Sequence, residues 1–213
     1  MRFKVCAVVI MLLLISGSNA YSSDQEDGIV VIKTLTGDVL VWNQKDNHFT
    51  LEITGKEVKP QTNTESVFLN VDGIVLQVQS VPISEFLKDA KSQKPDSGAI
   101  LKAHQEWEAE YIAGVLGKKL SVQTTPQKLS NGKEALFWKY DMPEGLSETV
   151  KKQFYLSMLS NNYVVFLNGV VESGTTDAAV HQLLLVTAAT LKTSSDKIDV
   201  NKLRESIKHA STP

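Results

Sequence analysis

Apolar positions in the first third of the chain recur every second residue or in short blocks, the pattern of strands rather than helices. Phe49, Leu51 and Ile53 alternate with polar neighbours, the period of a half-buried strand. Ile29 to Ile32 and Val39 to Trp42 are compact apolar blocks separated by Gly37-Asp38, so three antiparallel strands are predicted before residue 54. Gly55 to Glu65 is hydrophilic, contains Pro60, lacks any period and reads as a loop. Val67 to Val71 and Ile74 to Val78 flank Asp72-Gly73, a pair suited to the positive φ of a tight hairpin turn.

The period then changes. Ile83 to Lys91 predicts a short helix after Pro82, and Lys91 to Gly98 a loop in which Ser97 is placed to cap the next helix. Ala99 to Leu116 reads as a long amphipathic helix whose apolar stripe is Ile100, Ala103, Trp107, Tyr111 and Val115, with Gly117 as its stop. Glu106, Glu108 and Glu110 cannot share one face of it.

Strand patterns return. Leu120 to Leu129 is interrupted by Pro126, Asn131-Gly132 is a turn, and Ala135 to Tyr140 is an apolar strand. Phe154, Leu156 and Met158 alternate before an Asn161-Asn162 turn and the apolar run Tyr163 to Val171. Thr175 or Thr176 is placed to cap a helix from Asp177 to Lys192, and Val200 to Ala210 predicts a last short helix. Strands, helix, strands, helix, with tight hairpins, specify an α+β fold: an antiparallel sheet covered by two long helices in one domain spanning 28–213.

This order resembles the PsbP-like α/β/α sandwich. The similarity is carried by Val67 to Ser80, by Asn131-Gly132 followed by Ala135-Leu136-Phe137-Trp138, and by Tyr155 to Val171 leading into Ala178 to Leu191. The three opening strands and Val200 to Ala210 depart from that pattern. The resemblance implies a non-catalytic accessory or assembly role and transfers no functional residue.

The amino terminus changes the picture of where the protein works. Arg2 and Lys4 precede an unbroken apolar run of 11 residues, Val5 to Ile15, and Ser18-Asn19-Ala20 offers small residues for cleavage. This predicts a signal peptide at 1–20, a flexible polar lead at 21–27 and a periplasmic or secreted product beginning at Tyr21. The run is too short for a membrane span, which needs about 20 apolar residues, so no stable insertion is expected after cleavage. Cys6 lies inside the run, leaving the mature chain without a thiol or disulfide. Its formal charge moves from −2 to −4 when Arg2 and Lys4 leave, so no basic field attracts nucleic acid.

Familiar chemical motifs are missing. Lys56, Lys118 and Lys133 follow glycines but are followed by Glu57, Lys119 and Glu134, so no phosphate-binding P-loop is formed. No Gly-x-Ser-x-Gly elbow holds a nucleophile. His48, His104, His181 and His209 are widely separated; His104 and Glu108, four apart, could supply two metal ligands, but the richly charged helix predicts a partly exposed histidine beside a solvated acid. His181 reads as a packed boundary residue, and His48 and His209 as surface residues. No metal and no cofactor is expected. Trp107, Tyr111 and Trp138, with Trp42 and Tyr140, are the residues that could line a ligand groove. The expectation is an exported, non-catalytic binding or assembly factor for a protein or apolar small-molecule partner; the alternative is a hydrolase with an acid–histidine site at His104 and Glu108.

Overall fold

Period-two alternation in the opening segments produces β1 (Gly28–Lys33), β2 (Gly37–Gln44) and β3 (Asn47–Thr54), joined as successive hairpins in a computed structural model that describes residues 28–62, 67–87 and 95–210. The expected signal peptide and lead lie outside the described residues. The chain continues through β4 (Val58–Thr62), β5 (Val67–Val71) and β6 (Ile74–Pro82), a 3-10 turn at Ile83–Glu85, and α1 (Ser97–Leu116). Then come β7 (Gln123–Lys128), β8 (Glu134–Asp141), β9 (Val150–Ser160), β10 (Tyr163–Glu172), α2 (Asp177–Ala189), β11 (Lys192–Ser194) and α3 (Val200–Ala210).

The strands form two antiparallel sheets, one ordered β1-β2-β3-β11 and one β4-β5-β6-β10-β9-β8-β7. The fold is therefore α+β and built from hairpins, with the opening strands forming a sheet of their own. β10 pairs with both β9 and β6, so the long strand after the Asn161 turn knits the two halves of the larger sheet together. At the Asp72-Gly73 turn both residues take positive φ, 51° and 87°, as a tight hairpin matching strand twist requires.

Alternation along β8, β9 and β10 gives the larger sheet two different faces. One presents Leu156, Met158, Val165 and Leu167 to α2 and to Leu40, Phe49, Leu51 and Ile53 of the smaller sheet, making the main apolar core. Each fully buried side chain of this size contributes on the order of 1.5–3 kcal/mol. The opposite face presents Trp138, Tyr140, Tyr155 and Phe166 to α1. α3 lays Val200, Leu203 and Ile207 on Val30, Ile32 and Val41, the outer face of the smaller sheet.

Four boundaries differ from the sequence reading. Val58–Thr62 is a strand, not loop, because it pairs with β5 as an edge, where a proline and the absence of alternation are tolerated. The helical turn after Pro82 is a 3-10 turn ending at Glu85, and 88–94 lie outside the described residues. Asp96, not Ser97, caps α1: its Oδ1 accepts a hydrogen bond from the Ala99 N–H at 2.7 Å, and its charge suits the positive helix end. α2 stops at Ala189, and Lys192–Ser194 leaves to pair with β3. Thr176 caps α2, and Gly117 ends α1 in the left-handed conformation with φ 61°.

A candidate binding layer beneath the long helix

α1 buries only part of the stripe its hydrophobicity predicts. The buried residues are Ile100, Leu101, His104, Gln105, Glu108 and Ile112; Trp107 and Tyr111 sit half-buried at the flank, and Val115 is exposed. The helix is turned so that three polar side chains point inward. His104 is 0% and Glu108 4% exposed, which overturns the reading of a solvated pair, while Glu106 and Glu110 do face water.

The reason lies in the sheet below. Residues facing α1 alternate along β8 and β9 as Leu136, Trp138, Tyr140 and as Gln153, Tyr155, Ser157, a face much more polar than the one toward α2. Trp138 and Tyr155 are paired in register, and their rings stack with centroids 3.8 Å apart and planes 6° apart. Tyr140 lies nearly parallel to both, at 6.5 and 6.2 Å. The His104 ring is enclosed by Phe166 at 5.1 Å, Phe86 at 5.4 Å and Trp107 at 6.2 Å, and its Nδ1 is 3.4 Å from the Ser157 Oγ. Gln105 is satisfied at the margin, its Oε1 accepting from Lys102 Nζ at 2.6 Å and from Thr124 Oγ1 at 3.4 Å.

Several polar atoms of this layer are sealed from solvent and have no hydrogen-bond partner: His104 Nε2, Glu108 Oε2, Trp138 Nε1 and the Tyr140 hydroxyl. The Tyr140 hydroxyl is beside that of Tyr155 but does not make a bond of regular geometry with it. An unpaired buried group of this kind costs about 1–3 kcal/mol, so a cluster of them marks a place where packing alone does not explain the residue choice.

Burial governs the charges. It alone pushes the Glu108 carboxyl up to about 7 and the His104 imidazole down to about 3, so between those limits both are neutral. Burial first raises the Tyr140 and Tyr155 phenols above their ordinary range; Tyr140 and then the Glu108 carboxylate add to the rise at Tyr155, and the Glu108 carboxylate adds to that at Tyr140.

Of the residues singled out in the sequence, Trp138 lies at the floor of this layer, Trp107 and Tyr111 at its flank, and Tyr140 beside Trp138. Trp42 does not join them, being stacked on Phe49 at 5.4 Å in the other core. His181 packs on Phe137 at 4.3 Å on the opposite face of the sheet, His48 is half-buried, and His209 is exposed. Tyr155, Ser157 and Gln105 were not singled out; the signal for two of them is the polar set Gln153, Tyr155, Ser157 interleaved with the apolar Phe154, Leu156, Met158. Among the described residues no three His, Cys, Asp or Glu side chains are grouped to hold a metal ion, and no helix is long and apolar enough to cross a membrane. No protein-family model and no curated protein matches the chain.

Proposed function

We propose that this is an exported, non-catalytic binding or accessory protein whose binding face is the polar and aromatic layer between α1 and the seven-stranded sheet. The observation that carries the reading is the set of unpartnered buried groups on His104, Glu108, Trp138 and Tyr140: a bound molecule would supply the partners that the fold leaves out. A binding role also agrees with what the PsbP-like resemblance implies, and export with the leader read in residues 1–20. Native mass spectrometry of the protein recovered from the cell envelope and medium tests this. The expected result is a mature chain starting at Tyr21 that repeatedly carries a ligand or partner; repeated recovery of the bare chain overturns it.

A hydrolytic reading is favoured by one observation, the Ser157 hydroxyl 3.4 Å from His104 Nδ1. Against it, a nucleophilic serine needs a histidine able to take its proton and an ionised acid to orient that histidine. Burial holds His104 down to about 3, making it a poor proton acceptor, and pushes Glu108 up to about 7, away from the ionised form. Turnover of esters, glycosides or phosphates that disappears in both His104→Ala and Ser157→Ala would replace the binding reading with this one.

A further inference from the structure

We propose that this protein associates with a second copy of itself through β1, edge to edge, so that the two smaller sheets join into one across a two-fold axis at Val31. β1 ends the strand order of its sheet, and among the described residues nothing pairs with its outer side. The smaller sheet packs on the opposite face of the larger one from α1, so this contact is independent of the binding layer.

The phase of the hydrogen bonds shows what this edge offers. At the β1–β2 turn the Thr34 N–H donates to the Gly37 carbonyl, and at the β2–β3 turn the Gly55 N–H donates to the Thr36 carbonyl. Antiparallel partners alternate between bonded and non-bonded pairs, so Gly28, Val30 and Ile32 turn their amides and carbonyls towards β2. The N–H and C=O groups of Ile29, Val31 and Lys33 therefore point outward. The same phase in the larger sheet, set by Asp72 N–H to Glu57 C=O and by Leu129 N–H to Lys133 C=O, puts Pro60 of β4 and Pro126 of β7 at outward positions. Each proline removes an N–H that an added strand would need, a common protection of an edge. β11 is protected by its length of three residues. β1 has six, Gly-Ile-Val-Val-Ile-Lys, with no proline and no charge before Lys33. Among the described residues it is the one sheet edge left open to a further strand.

Register selects a second copy as the occupant. In an antiparallel pair centred on Val31, Val31 faces Val31 and Ile29 faces Lys33 at both ends, so every outward N–H and C=O of each β1 finds a partner. Slipping by two residues in either direction carries one of these outward residues beyond the partner's β1. In the centred register Val30 falls opposite Ile32 on the side that α3 covers, bringing β-branched side chains together across the seam. The two lysines are kept apart, each against an isoleucine and each paired with its own Asp38 at 3.0 Å. No charge meets its like, so the edge is complementary to itself, as a closed two-fold contact requires.

The test is sedimentation equilibrium of the mature chain, with amide exchange along β1 followed over the same concentrations. One strand pair is a small interface, so a dimer with Kd between about 1 µM and 1 mM is expected, and the amides of Ile29, Val31 and Lys33 should become protected as it forms. Val31→Pro gives β1 the device that β4 and β7 carry without removing a bond to β2. It is expected to stay folded and to associate at least about tenfold more weakly. Should that variant fail to fold, the charge at position 29 decides. Ile29→Lys sets lysine against Lys33 at both ends and is expected to weaken the dimer about tenfold, whereas Ile29→Glu sets opposite charges together and is expected to retain it. The proposal is overturned by a chain that stays monomeric at about 1 mM, or by a dimer that responds alike to Ile29→Lys and Ile29→Glu. It is overturned equally if the three outward amides exchange freely in the dimer or are already as well protected in the monomer.

Discussion

Glu108 follows His104 by one helical turn on the same buried face of α1, yet burial alone sets the charge of each. Their effects on stability therefore oppose one another. Glu108 has its folded value raised from 4.5 to about 7, so the folded chain holds that proton more tightly. Its contribution is fully present below about pH 4.5 and is lost as pH rises towards 7, roughly 3 kcal/mol in all. His104 has its folded value lowered from 6.5 to about 3, so the unfolded chain binds that proton more tightly. Its contribution is fully present above about pH 6.5 and is lost as pH falls towards 3, roughly 5 kcal/mol in all.

Between about pH 4.5 and 6.5 these two slopes cancel, so urea midpoints of the native chain are expected to rise there only by the share that His181, also held low by burial, contributes. Glu108→Gln removes one slope, and stability should then climb steadily from pH 4.5 to 6.5. His104→Gln removes the other, and stability should instead fall over the same interval. Profiles of both variants running parallel to that of the native chain would mean that neither group is buried as described.

The sheet architecture was legible because hairpin chemistry is local. Asp72-Gly73 and Asn161 turn the chain with positive φ where the sequence suggested turns, and Phe49, Leu51 and Ile53 point into the core as their alternation implies. What sequence did not convey was which way α1 is rotated. Helical periodicity located an apolar stripe through Trp107 and Tyr111, but the burial of a helix is decided by the surface it meets. That surface carries Gln153, Tyr155 and Ser157, and it draws His104, Gln105 and Glu108 inward. A polar residue on α1 and its neighbour on β9 lie about 50 residues apart, as His104 and Ser157 do, and no local pattern joins them. The aromatic part of the layer was readable one strand at a time, which is why Trp138 was found and its stacking partner Tyr155 was not.

α3 is held to the smaller sheet partly by one side chain. Asn43 Nδ2 donates to the Ile198 carbonyl at 2.7 Å, and its Oδ1 accepts from the Ile198 N–H at 3.0 Å. Asn43→Ala removes both bonds and leaves two backbone groups to find water. A loss of about 1–3 kcal/mol is expected, concentrated in the terminal segment: amide exchange should quicken over 200–210 and remain unchanged in α1. Equal acceleration in both helices would show that Asn43 supports the whole core and not this contact.

At Gly169 the approach of α2 to β10 leaves no room for a side chain. A Cβ there would lie 2.6 Å from Val180 Cγ1 and 3.3 Å from Leu184 Cδ2, both on fully buried residues. Gly169→Ala is expected to cost about 1–3 kcal/mol by overpacking. Adding Val180→Ala should recover part of that loss, so the double variant is more stable than the two single effects summed. Strict additivity would place the clash elsewhere.

Glu108 offers the sharpest separation of stability from function. Leucine has a similar bulk, no polar atom to leave unpaired and no charge to bury. Replacing a buried group that lacks a partner by an apolar one of its shape is neutral or stabilising, whereas disrupting a satisfied network destabilises. At pH 8, above the value of about 7 to which its carboxyl is pushed, the native side chain is ionised and most costly. Glu108→Leu is therefore expected to raise the urea midpoint there, by an amount equivalent to about 1–3 kcal/mol, and to raise it less at pH 5, where the carboxyl is neutral. The same substitution removes one unpartnered polar atom from the layer that the binding reading assigns to a ligand. A residue that lowers stability while improving binding is one kept for its site. A variant that is less stable at pH 8 would instead show that Glu108 is held by bonds the fold already provides, and the case for a ligand in its place would be lost.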